Sequence, residues 1–106
     1  MKRRKLMKCL SLYSEYIEEI LSGEKTEEYR SWKISCPQDI LLVGSKSPRG
    51  KYSGLGACIV HVSRIEGQKP NYDWILENVR PVEPFPVKGK LGLYEIPDNL
   101  IRLLKD

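Results

Sequence analysis

A lysine, a glutamate, an arginine and a tryptophan stand close together at Lys25, Glu28, Arg30 and Trp32. Residues 25–32 read as a strand of polar and aromatic character, and its alternation puts Glu28, Arg30 and Trp32 on one face, with Lys25 at the mouth of the turn after Gly23. A guanidinium can pair with phosphate or lie on a base. A neighbouring carboxylate can accept from a base amino group or orient the arginine, and an indole offers a stacking plane. The same residues also suit an exposed sheet face with an Arg–Glu pair and a half-buried tryptophan. Alternation alone leaves both readings open.

A second cluster lies in the segment 44–56, where Lys46, Arg49, Lys51, several serines and four glycines form a loop by composition. It follows an apolar strand and contains Gly-Lys, so a phosphate-binding P-loop must be considered. That motif needs four residues between its glycines and Ser or Thr after the lysine. Here five residues separate Gly44 from Gly50, and Tyr52 follows Lys51. The P-loop is excluded. A loop able to meet phosphate oxygens through side chains and backbone N–H groups remains, as does a plain solvated loop. With a single histidine, His61, no zinc site is expected, and no cofactor is expected either. Cys9, Cys36 and Cys58 form no C-x-x-C pair and read as buried or half-buried thiols of a reducing compartment.

These residues need a scaffold. Residues 6–12 alternate as a strand, and residues 14–22 carry Tyr16, Ile17, Ile20 and Leu21 at helical spacing, with Ser11 or Ser14 as cap and Gly23 as stop. Ile40, Leu41, Leu42 and Val43 form a continuous apolar strand, buried on both sides. Residues 57–65 alternate as another strand. A short helix is expected over 72–78, and Pro81, Pro84 and Pro86 should bar residues 80–87 from a central strand. A strand over 91–96 and a helix from Asp98 to Leu104 complete the chain. This is an α+β pattern, and its simplest closed form is a small, mostly antiparallel β-barrel with short helices at its ends.

At 106 residues the chain is one domain, and 41% apolar with 30% charged residues excludes a disordered tail, a fibre or a disulfide scaffold. No apolar run is long enough to cross a bilayer, Lys8 interrupts any signal-peptide core, and a cytoplasmic location is expected. The formal charge is +4, but Lys2, Arg3, Arg4, Lys5 and Lys8 supply five of the 18 basic residues, leaving 13 basic against 14 acidic beyond them. Attraction of an acidic partner therefore depends on where the cations sit, not on their sum. Six glutamates crowd between residues 15 and 28, whereas residues 40–65 hold no acid at all.

Gly23-Glu-Lys25-Thr-Glu-Glu28-Tyr-Arg30 fits the pattern G-x-K-x-x-E-x-R and resembles the signature of the ASCH domain, a family similar to the PUA RNA-binding domains. Cys9-Leu-Ser-Leu12 with its following helix, Arg30-Ser-Trp32, the strand at 40–43, Tyr72-Asp-Trp74 and Val87-Lys-Gly89-Lys90-Leu-Gly92-Leu-Tyr94 resemble family landmarks in the same order, from about residue 7 to residue 96. The resemblance implies a PUA-like β-barrel over 7–106 behind a basic extension, 1–6. It implies RNA, other nucleic acid or a nucleotide as partner, held non-catalytically in a basic cleft. Lys25 and Arg30 would hold phosphate, Glu28 would orient them or read a base, and Trp32 would stack. Lys46, Arg49, Lys51 and Lys90 would follow the backbone.

One small branch of the family hydrolyses N4-acylated cytidine with the motif lysine and a nearby Thr and Glu. Lys25 matches the lysine, but Glu28 stands where that branch has Thr, so amidohydrolase activity is an alternative, with ribonuclease activity a third. A protein-interaction module using Tyr13, Tyr16 and the acidic helix face is a further class.

Overall fold

The computed structural model describes residues 5–104. It is a mixed α+β fold, with a six-stranded sheet and one α-helix. In chain order the elements are β1 (Leu6–Leu12), α1 (Ser14–Ser22), β2 (Glu27–Arg30), β3 (Gln38–Gly44), β4 (Leu55–Gln68), β5 (Asn71–Pro86) and β6 (Leu93–Pro97), followed by a 3₁₀ turn at Asp98–Leu100. The strand order is β2-β5-β4-β3-β1-β6. Only β1 and β3 run parallel. The expected barrel is not closed: β2 and β6 are the two ends of the sheet. Residues 1–4 of the expected basic extension lie outside the described residues, and Leu6 already pairs with Pro97.

The apolar run of β3 is buried because both faces of the sheet are covered. Ile40 and Leu42 join Leu10, Ile17, Ile20, Val60 and Trp74 on the helix side. Leu41 and Val43 join Cys9, Ile59, Val82 and Tyr94 on the other. Strand alternation thus feeds two cores from consecutive residues.

The helix starts and stops near its expected bounds, with Gly23 in the left-handed conformation at φ 88°. Neither serine caps it. Ser14 is buried and its Oγ accepts the Tyr52 N–H at 2.7 Å, while Ser11 Oγ shares a 2.8 Å hydrogen bond with the Tyr94 hydroxyl.

The expected helix at 72–78 is instead part of β5. Tyr72, Trp74 and Leu76 alternate onto the helix-side core, so a period of two prevails over a short helical one. The prolines do not end the strand either. β2 covers β5 only at residues 72–75, so Pro81, Pro84 and Pro86 lie past β2, where a missing N–H breaks no ladder bond to it. There the C-terminal segment lies alongside: Leu103 bridges Val82, Glu83 N–H donates to the Arg102 carbonyl, and Leu104 N–H donates to the Pro81 carbonyl. That pairing replaces the helix expected from Asp98 to Leu104, of which only the 3₁₀ turn forms. No helix among the described residues is long and apolar enough to cross a membrane.

Candidate functional site

Lys25, Glu28 and Arg30 meet in space. Gly23 ends α1 and turns the chain back, and β2 then runs along β5 with Glu28 opposite Trp74, which buries the carboxylate at the edge of the core. The Glu28 side chain is 9% exposed and takes both cations: Lys25 Nζ lies 3.3 Å from Oε1 and Arg30 Nε donates to Oε2 at 2.8 Å. Arg30 Nη2 also donates to the Ser11 carbonyl at 3.2 Å, tying β2 to the end of β1 across the sheet.

Tyrosines surround this cluster. Lys25 Nζ stands 5.1 Å from the Tyr16 ring centre and 5.4 Å from that of Tyr29. Tyr13 stacks on Tyr16 at 5.5 Å. Together Ser11, Tyr13, Tyr16, Glu28, Tyr29 and Arg30 line a cleft of about 270 Å³. Tyr29 is 68% exposed, and Tyr13 and Tyr16 are exposed too, so open aromatic faces stand beside a buried carboxylate and its two cations. Such a cleft can take a flat ring against a tyrosine and meet its polar edge with charged groups.

Trp32 is placed differently from the expectation. It packs edge-on against Trp74, 5.1 Å between ring centres, and its carbonyl accepts the Trp74 indole N–H at 3.1 Å. Partly buried against the helix-side core, it does not line the cleft.

The loop cations also separate. Lys46 and Lys90 line a second basin of about 410 Å³ with Lys88, Ser45 and Gly89. Arg49 lines an adjoining hollow with Lys46 and Gly54. Ser11 belongs to both the cleft and the basin, so the two share a wall. Lys51 stands over the Tyr52 ring at 5.4 Å and lines neither. The loop that carries these cations is pinned at its base, where Gly54 N–H donates to the Gly44 carbonyl at 2.8 Å and a Cβ at Gly44 would overlap the Tyr52 carbonyl.

Sequence reasoning missed Tyr29 and Lys88 as site residues, and read Tyr13 and Tyr16 as a protein-docking face. Alternation assigns Tyr29 to the face opposite Glu28 and Arg30. Because β2 is a four-residue edge strand, its outward tyrosine can reach around to the cleft. Lys88 sits in the same short turn as Lys90, a spacing that gave a usable signal.

Elsewhere, Cys9 and Cys58 are buried and burial pushes both thiols up to about 12, but Cys36 is exposed, against the expectation of three buried or half-buried thiols. His61 Nδ1 lies 2.7 Å from Asp39 Oδ1, and Arg80 Nη1 donates to Asp39 Oδ2 at 3.2 Å. The arginine's hydrogen bond, aided by that of the histidine, holds the Asp39 carboxyl below its usual range against the opposing effect of burial.

The sequence matches the family model described as the ASCH domain over residues 10–86. No curated protein matches it. Among solved structures, the chain is similar to a serine-to-alanine variant of ZmASCH from Zymomonas mobilis. The TM-score is 0.67 and the identity 15%, over 90% of this chain and 96% of that one.

Proposed function

The chain belongs to the ASCH domain family, and on that premise we propose that it binds RNA, or a nucleotide-like ligand, without turning it over, in the cleft beside G-x-K-x-x-E-x-R. The observation that carries this reading is the Lys25–Glu28–Arg30 cluster walled by exposed tyrosines. Stacking falls to Tyr29, the most exposed of the tyrosines, while Trp32 serves the packing around Trp74. Arg30 meets the polar edge of the ligand, Glu28 holds it in place with Lys25 as second counter-ion, and Lys46, Arg49 and Lys90 follow the backbone beyond. Lys51 contributes charge at the outer side of the loop.

Base stacking on an aromatic side chain is worth about 1–3 kcal/mol. Tyr29→Ala should therefore weaken binding of a labelled single-stranded RNA about tenfold in fluorescence anisotropy, with Arg30→Ala at least as severe. If both variants bind as the parent does, the cleft is not the site.

Amidohydrolase chemistry needs an uncharged amine or a base at Lys25. Its contacts, a carboxylate and two aromatic faces, are those an ammonium makes. Incubation with N4-acetylcytidine should yield no cytidine even at stoichiometric protein, and RNA incubated with it should keep its length. Turnover that disappears in Lys25→Ala would replace binding with hydrolysis.

A further inference from the structure

The two groups of cations differ in whether they are already neutralised. At the cleft, Arg30, which lines it, and Lys25, which does not, share the Glu28 carboxylate, and their side chains are only 22% and 16% exposed. A phosphate arriving there must compete with a built-in carboxylate at hydrogen-bonding distance. In the basin and its adjoining hollow the situation is reversed. Lys46, Arg49, Lys88 and Lys90 are exposed, and among the described residues none of them pairs with a carboxylate. No acid lines either the basin or its adjoining hollow. Among the described residues, no backbone hydrogen bond is donated by residues 88–91, so the amides of that turn are also unengaged.

From this contrast, and resting on the nucleic-acid reading above, we propose that the basin formed by Lys46, Lys88 and Lys90, with Arg49 in the adjoining hollow, is a separate phosphate subsite, and that the motif cleft reads a base instead of holding phosphate. Ser11 is the hinge between the two. Its carbonyl is held by Arg30 on the cleft side, its Oγ by Tyr94, and a Cβ at Gly89 would come within 3.2 Å of that Oγ on the basin side. The cleft that holds Tyr29 and the basin that holds the lysines thus adjoin at one shared residue. The ligand class that fills both is a phosphodiester strand, whereas a free nucleoside fills only the cleft.

Counterion release makes the division measurable, since on a single strand log K falls with log salt by about 0.7 per neutralised phosphate. The probe is a labelled oligouridylate titrated across salt with the parent, Lys88→Ala/Lys90→Ala and Arg30→Gln. Inorganic tripolyphosphate is followed in parallel by amide NMR. The double lysine variant alters only exposed side chains of a turn, and a melting curve checks its fold. The expected result is a slope shallower by at least ~0.7 in the double variant. Arg30→Gln should weaken binding with the slope retained, and tripolyphosphate should shift amides of 45–54 and 88–91.

An unchanged slope in the double variant with a collapsed slope in Arg30→Gln, or tripolyphosphate shifts confined to 25–30, overturns the subsite. A parent that binds no oligonucleotide while tripolyphosphate still shifts the basin overturns the RNA reading and keeps the subsite. No response to either probe removes both.

Discussion

Glu28 holds two cations on one buried carboxylate, which makes it the residue on which the cleft's geometry depends. Removing one member of a buried ion pair leaves its partners uncompensated and costs about 3–5 kcal/mol. The cations here keep some exposure, so Glu28→Gln should fall at the lower end, near ~3 kcal/mol in urea unfolding. A loss under ~1 kcal/mol would place the cluster among surface pairs. The thiols differ as sharply. With Cys9 and Cys58 buried and raised to about 12, iodoacetamide at neutral pH should add a single label, on Cys36, as read by peptide mass. The spacing of Lys25, Glu28 and Arg30 was legible in the sequence because a signature constrains it. Tyr29 was not, since strand alternation says nothing about how an edge strand presents its outward side chain.

At the scale of elements, what was legible followed from burial. The run at 40–43 and the spacing of Ile17 and Ile20 depend only on apolar pattern, and both elements formed where expected. The failures came where a partner outside the window decides the outcome. Ser14 looks like a helix cap in isolation, but the Tyr52 amide claims its hydroxyl. Ser14→Ala should therefore act on the basic loop more than on the helix, costing about 1–2 kcal/mol and speeding amide exchange in 45–54 while α1 stays protected. Residues 72–78 fit either period until β2 and β4 supply neighbours on both sides. The prolines of β5 were expected to bar residues 80–87 from a central strand, yet the strand runs on to Pro86 between β4 and the C-terminal segment, whose pairing no local window reveals.

At the scale of the whole molecule, the net charge of +4 says less than its arrangement. The α1 glutamates at 15 and 18 face solvent, while uncompensated cations gather at the loop and the turn after β5. Stability should also depend on acid through Asp39. Because its folded carboxyl lies below the ordinary 3.8, the Arg80 and His61 contacts contribute fully above that pH and are lost as pH falls beneath it. Asp39→Asn should accordingly flatten the drop in melting temperature below about pH 4, and an unaltered profile would remove Asp39 from the acid response.

The pairing of β1 with β6, Leu6 opposite Pro97, has a kinetic consequence. The first strand of the sheet in chain order has one edge that only the last strand covers. During translation that edge stays open until β6 has followed it out of the ribosome, so the sheet is completed late and slowly, as non-local pairings are. Stalling synthesis ahead of β6 should leave a nascent chain bound by holdase chaperones.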